Sequence, residues 1–241
     1  MNARSKASAG VEMAARLNDP MADGAEARLR YELSPDLVTL SDARPADAEA
    51  IRTLRTHIMA RHLGDGRRGL AICGATAGVG CSFTAANLGM ALSQVGISTL
   101  LIDGNLRAPG LEKFIRPSTS TDGLSQYLAA RDSVISDAIH AEVVPNLSVM
   151  YAGGVAANAQ ELLGSDAFRR LIERCLRDFE FTIIDTPPGD TCADNLRISA
   201  MVGYTLIVAR ADISRANEVM ALSRQLRDDG ADVIGSVLSQ N

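Results

Sequence analysis

The stretch Leu70-Ala71-Ile72-Cys73-Gly74-Ala75-Thr76-Ala77-Gly78-Val79-Gly80-Cys81-Ser82 runs from an unbroken apolar tetrapeptide into a glycine-rich turn. The four apolar residues read as a buried strand, and the glycines at 78 and 80 let the backbone turn tightly and aim its N–H groups inward. From Ser82 to about Val95, Ala85, Leu88, Ala91 and Leu92 recur at helical spacing, so the loop joins a strand to a helix. In that context a glycine-rich loop holds an anion, because its backbone donors converge and the positive end of the helix dipole points to the same place. Ala77, Gly78, Val79, Gly80, Cys81, Ser82 and Phe83 are therefore the candidate nucleotide-phosphate residues. For the loop alone, a packing turn whose glycines merely permit close approach is the competing reading.

Two distant aspartates weigh against that competing reading. Asp103 closes the apolar run STLLID and Asp185 closes FTIID. Each strand would deliver its carboxylate to the carboxyl edge of a sheet, where open α/β sheets bind ligands. Asp103 and Asp185, with the hydroxyl of Ser82, form a candidate magnesium set, and the two aspartates are the candidate catalytic carboxylates. Further strands are predicted at NLSVMYA, YTLIVAR and DVIGSVL, with helical segments between most of them. The pattern predicts an α/β fold, a doubly wound, mostly parallel sheet flanked by helices, of the P-loop NTPase type. Upstream, DAEAIRTLRTHIMARHL places Ile51, Leu54, Ile58 and Leu63 at helical spacing, and Glu49, Arg52 and Arg55 elsewhere on the helix surface.

Residues 1–40, rich in Ala, Asp, Arg, Ser and Pro without periodicity, read as a flexible N-terminal extension or a loosely docked arm, and 41–241 as the folded domain. Composition narrows the partners. With 24 Lys+Arg against 29 Asp+Glu the net charge is -5, which disfavours nucleic acid and anionic lipid as partners of the chain as a whole. The longest apolar stretches, such as Tyr204 to Ala209, fall far short of the roughly 20 residues of a membrane helix, and the N-terminus has no signal-like apolar segment. A soluble, cytoplasmic protein is expected. Cys73, Cys81, Cys175 and Cys192 show no metal-knot or disulfide spacing, and only Cys81 lies where chemistry is expected.

Taken in order, GVGCSFTAANLGMAL, LLIDGNLR and FTIIDTPP resemble the Walker A, second acidic and Walker B motifs of the bacterial tyrosine kinases. DGLSQYLA and AGGVAANAQELLGS resemble their connecting region, and EAIRTLRTHI their N-terminal E-x-x-R-x-x-R helix. The resemblance covers nearly everything from Asp47 onward. It implies ATP or ADP with Mg2+ as cofactor, wrapped by Gly78, Gly80 and Ser82, with Asp103 and Asp185 as metal and catalytic aspartates and Arg107 ending the D-x-D-x-R motif. It implies Glu49, Arg52 and Arg55 as contacts in a homo-oligomer. It also implies a role in exopolysaccharide or capsule synthesis and export, with a membrane polysaccharide co-polymerase or chain-length protein as partner and a location peripheral to the inner membrane.

The departures from the family pattern are chemical. Cys81 stands where a lysine reaches the β and γ phosphates, Asn105 replaces the second aspartate of D-x-D-x-R, and Gly203 stands where an aspartate is common. The resemblance implies a tyrosine-rich tail that is autophosphorylated, whereas the sequence stops at GSVLSQN and Tyr31, Tyr127, Tyr151 and Tyr204 are scattered, so the usual phosphoacceptor is expected to be absent. Losing one preorganised charge typically costs on the order of 100- to 1000-fold in rate. The expectation is weak or absent kinase activity with weakened nucleotide binding, assisted by a charge from Arg52 or Arg55 of a neighbouring subunit. An inert Cys81 is favoured over a reactive thiol at a helix N-terminus. The alternatives are an active ATP-dependent tyrosine autokinase and a ParA/MinD-type partitioning ATPase, whose signature lysine would fall at Thr76.

Overall fold

Each apolar run read as a strand is one, and in the runs at the centre of the sheet the side chains alternate between two cores, whereas in DVIGSVL Leu238 is exposed. In the computed structural model, residues 30–130 and 133–240 are described. In chain order the elements are β1 (Tyr31–Leu33), α1 (Pro45–Ile58), β2 (Gly69–Gly74), α2 (Cys81–Ser93), β3 (Thr99–Asp103), β4 (Ile115–Pro117), α3 (Leu124–Ala129), α4 (Ile135–Ala138), β5 (His140–Val144), β6 (Leu147–Met150), α5 (Ala159–Leu163), α6 (Asp166–Asp178), β7 (Phe181–Asp185), α7 (Asp194–Val202), β8 (Tyr204–Arg210), α8 (Ala216–Asp228) and β9 (Asp232–Ser239). Short 3-10 turns occupy Val38–Leu40 and Leu111–Lys113.

The seven-stranded sheet has the order β5-β6-β3-β7-β2-β8-β9. All of its pairings are parallel except β5 against β6. Leu70 and Ile72 of β2 enter the core formed with Leu88, Met90 and Leu92 of α2. Ala71 and Cys73 enter the opposite core, with Phe168 and Leu171 of α6, Ile198 of α7 and Leu222 of α8. Burying one large apolar side chain is worth on the order of 1.5 to 3 kcal/mol. With both faces covered, a polar residue anywhere in Leu70–Cys73 would forfeit that gain, hence the unbroken apolar run. Helix α2 is buried from Thr84 to Ser93, because the sheet covers one side and α1 with the 36–40 segment covers the other.

That packing moves the expected N-terminal boundary. Residues 30–40 are part of the domain, whereas residues 1–29 lie outside the described residues. Leu37 and Val38 are fully buried. Asn87 of α2 accepts from the Val38 N–H at 2.8 Å and donates to the Asp36 carbonyl at 3.0 Å. The segment has only a few apolar residues, too few to show a period, yet they are the ones that dock. β1 pairs antiparallel with β4 in a separate two-stranded ribbon.

The predicted helix through Leu63 also changes character. After Ile58 the chain opens into a π turn over Met59–Leu63, closed by the Gly64 N–H on the Met59 carbonyl at 3.1 Å. This turn buries His62 and leaves Leu63 half-exposed. His62 Nε2 bonds the Gly69 carbonyl at 2.9 Å, its Nδ1 has no partner, and its ring meets Phe181 and Tyr204 edge-on. Bonding a carbonyl requires a proton on Nε2, so the neutral ring already makes the bond.

Burial lowers the His62 pKa below its ordinary value, with Arg67 adding to the effect and the Gly69 bond opposing it. The unfolded chain, titrating near 6.5, then binds more protons than the folded one below that pH, so the contribution of His62 to stability is complete above about 6.5 and is lost as the pH falls. His62→Gln keeps a donor for Gly69 but does not titrate. Urea denaturation is expected to find its destabilisation largest at pH 7.5 and smaller at pH 5, and a pH-independent difference would contradict this account.

Candidate functional site

β2, β3 and β7 lie side by side, so their carboxyl ends converge. Asp103 and Asp185 are register partners across the β3–β7 pair, and Ile72 pairs with Asp185 across β2–β7. The loop therefore leaves β2 beside both carboxylates. Gly78 and Gly80 adopt φ of 75° and 101°, the left-handed region that residues with a Cβ avoid. These angles turn the backbone onto the first residue of α2. The loop lines a cleft of about 330 Å³ with Asn105, Ala108, Gly110, Lys113, Phe114, Thr186 and Pro188 on its other walls.

The two aspartates are both buried but differ in what their oxygens do. Asp103 Oδ1 accepts from the Asn105 N–H at 3.1 Å, and Oδ2 from the Gly110 and Leu111 N–H groups at 2.9 and 3.0 Å. It thereby organises the loop that forms the opposite wall. Asp185 Oδ2 accepts from the Ser82 hydroxyl at 2.5 Å, while its Oδ1 is buried with no partner. Burial raises Asp103 to about 6 against the pull of its three backbone donors. Burial, then the neighbouring Asp103, raises Asp185 well above the usual carboxylate range, with Ser82 opposing.

An unpartnered carboxylate oxygen beside a hydroxyl fits one side of a magnesium ion. Among the described residues no cluster of three His, Cys, Asp or Glu groups could hold a metal by itself. The residues therefore fit an ion that takes its remaining oxygens from phosphate and water.

The other singled-out residues are placed as follows. Cys81 begins α2, and burial followed by the Asp185 charge pushes its thiol well above its ordinary pKa. The helix N-terminus does not prevail, so the thiol stays protonated and behaves as a small apolar group. Asn105 caps a turn by accepting from the Ala108 N–H at 3.0 Å. Arg107 pairs with the buried Asp194 of α7 at 2.9 Å, tying the cleft wall to the far layer. Glu49 and Arg52 pair at 3.4 Å on the exposed face of α1. Arg55 donates to the Ala91 carbonyl at 3.3 Å, near the end of α2 remote from the loop. Within one chain, then, Arg55 is not at the cleft.

Sequence reading missed Lys113, Phe114 and Arg210. Arg210 NH1 donates to the Gly78 carbonyl at 3.2 Å and so braces the loop from outside. Its position at the end of β8 was the available signal, because that edge is where open α/β sheets bind ligands.

A parallel sheet that delivers two in-register aspartates beside a glycine-rich loop and a helix N-terminus defines a protein of the P-loop NTPase fold class. No protein-family model matches the chain. CapB of Staphylococcus aureus, which carries the name of a tyrosine-protein kinase, is 31% identical over 193 residues, covering 80% of this chain and 84% of CapB. The tyrosine-protein kinase Etk of Escherichia coli K12 is 32% identical over 197 residues, which is 81% of this chain but 27% of Etk. Among solved structures, the chimerical protein CapA2B2 has a TM-score of 0.76 at 28% identity, covering 87% of this chain and 92% of that one. The kinase domain of Escherichia coli Etk has a TM-score of 0.74 at 30% identity, covering 84% and 78%. The cell-division ATPase MinD of Pyrococcus furiosus follows at 0.59 and 25%, covering 71% of each chain. The chain belongs to the bacterial tyrosine-protein kinase family.

Proposed function

We propose that this chain is a nucleotide-binding regulatory member of that family, with weak or no kinase activity. It acts in exopolysaccharide or capsule synthesis and export, docked from the cytoplasm on a membrane chain-length or co-polymerase protein. The observation that carries this reading is Cys81, a short thiol side chain lining the cleft at the loop position where the family has a lysine. Gly78, Gly80 and the Ser82–Asp185 pair support retained phosphate and magnesium binding. When bound, magnesium would spread the charge of the phosphate oxygens, with Ser82 and Asp185 on its protein side. Phosphoryl transfer asks for more, because the charge developing between the β and γ oxygens has to be met by a preorganised cation.

Two of the four tyrosine hydroxyls in this chain are already committed to bonds within the fold. Tyr151 is buried with its hydroxyl on the Ile115 carbonyl at 2.9 Å, and Tyr31 bonds His140 at 2.9 Å. Tyr127 and Tyr204 are half-buried. The exposed Glu49–Arg52 pair on α1 supports a homo-oligomer contact on that face. Among the described residues no helix is long and apolar enough to cross a membrane, which is consistent with a membrane role exercised through a partner.

The test is incubation of purified protein with Mg-ATP, followed by phosphotyrosine detection alongside the Etk kinase domain. A rate lower by on the order of 100-fold or more is expected. Robust magnesium-dependent phosphotyrosine would overturn the reading in favour of an active autokinase, which the intact Ser82–Asp185 pair otherwise favours.

A further inference from the structure

Among the described residues the cleft is lined by one cationic side chain, and it does not come from the loop. The chain has only two lysines, Lys6 and Lys113. Lys113 lines the same cleft as Cys81, and among the described residues no other lysine or arginine does. Its side chain is exposed and makes no ion pair with any described residue.

The nearby arginines are committed elsewhere. Arg210 is on the outer carbonyl of Gly78, Arg107 is on Asp194, and Arg44 is on Asp47 and over the Phe83 ring.

Lys113 is also held in place. It ends the 3-10 turn Leu111–Lys113, whose first N–H groups, those of Gly110 and Leu111, are both gripped by Asp103. Gly110 packs so tightly on Ser82 that a Cβ there would collide with the hydroxyl. Asp103 thus clamps the turn against the phosphate loop, and the flexible four-carbon stem of Lys113 starts from the rim of the cleft.

We propose that Lys113 supplies, within the same chain and from the opposite wall, the positive charge that Cys81 does not. The ligand is a nucleoside di- or triphosphate gripped between the loop amides and the Lys113 ammonium. The inference rests on the nucleotide-binding reading above and replaces the expectation of an arginine donated by a neighbouring subunit. A lysine from this wall can anchor a diphosphate without lying where a loop lysine bridges the β and γ oxygens, so binding and catalysis come apart.

The test is calorimetric titration of Mg-ADP into the natural protein, Lys113→Ala, Lys113→Arg and the Cys81→Lys, Lys113→Ala double variant, with thermal melts of each. Because the Lys113 side chain is exposed, all are expected to melt with the natural protein. A charge-assisted contact is worth about 10-fold or more in affinity. Lys113→Ala is expected to lose that much, Lys113→Arg to stay within about 3-fold, and Cys81→Lys to restore the loss in the Lys113→Ala background. A merely structural role would not be rescued by a lysine on the other wall. Unchanged affinity in Lys113→Ala overturns the inference while leaving nucleotide binding intact. No Mg-ADP binding by the natural protein overturns both.

Discussion

Cys81→Lys is expected to tighten Mg-ADP binding by about 10- to 100-fold, the range of one or more charge-assisted hydrogen bonds in a partly dry site. Everything else a loop lysine needs is in place. Gly78 and Gly80 already hold the left-handed angles, and α2 starts at residue 81 itself. Cys81 also lines the cleft, so a longer side chain has somewhere to go. The gain should be largest in the Lys113→Ala background, because two ammonium groups on one diphosphate partly repel each other, and neighbouring substitutions of this kind are not additive. Calorimetry checks it. An unchanged affinity would mean that phosphate does not sit against this loop.

Asp185→Asn is expected to change stability and function in opposite directions. The carboxylate is fully buried beside Asp103, has one bond, to Ser82, and leaves Oδ1 unpartnered. Burial and Asp103 raise its pKa well above the usual range. A raised carboxylate means that the folded protein holds a proton the unfolded chain has released, so the Asp185 contribution falls as the pH rises from about 4 toward the folded value. Asparagine carries no charge at any of these pH values. The variant should therefore be the more stable by an increasing margin with pH, on the order of 1 kcal/mol or more at pH 8. Its Mg-dependent gain in nucleotide affinity should disappear, the trade-off expected where a costly buried charge is kept for its ligand. Urea denaturation at pH 5 and 8 tests the first part and titration with and without Mg2+ the second. Equal stability of the two proteins at both pH values would contradict the account of Asp185.

The sheet and its ligand edge were legible because burial on both faces writes itself into the sequence as unbroken apolar runs. Each of those runs ends at a polar residue or a turn, as STLLID and FTIID end on Asp103 and Asp185. The antiparallel edge strand β5 was not, since it carries exposed residues at Ala141 and Glu142 and a register shift. Residues 30–40 dock more closely than their sequence suggests, for a related reason. Their docking depends on side-chain bonds from Asn87, some fifty residues away, and no local pattern encodes that partner.

In the site, the loop and the two aspartates were read from local context. The division of labour between those aspartates was not, because it depends on which backbone N–H groups the chain folds back to Asp103. Lys113 was invisible as a cleft residue for the same reason. It is ten positions beyond Asp103, at the end of a turn whose placement is set by the Gly110–Ser82 contact.

The central claim is that the cradle binds nucleotide although its loop lysine is gone. The most direct test is calorimetric titration of the purified natural protein with Mg-ADP and Mg-ATP, repeated with a Gly80→Val variant that forbids the left-handed angle. The account predicts micromolar binding that Gly80→Val abolishes. Absence of binding by the natural protein, or binding indifferent to Gly80→Val, would contradict it.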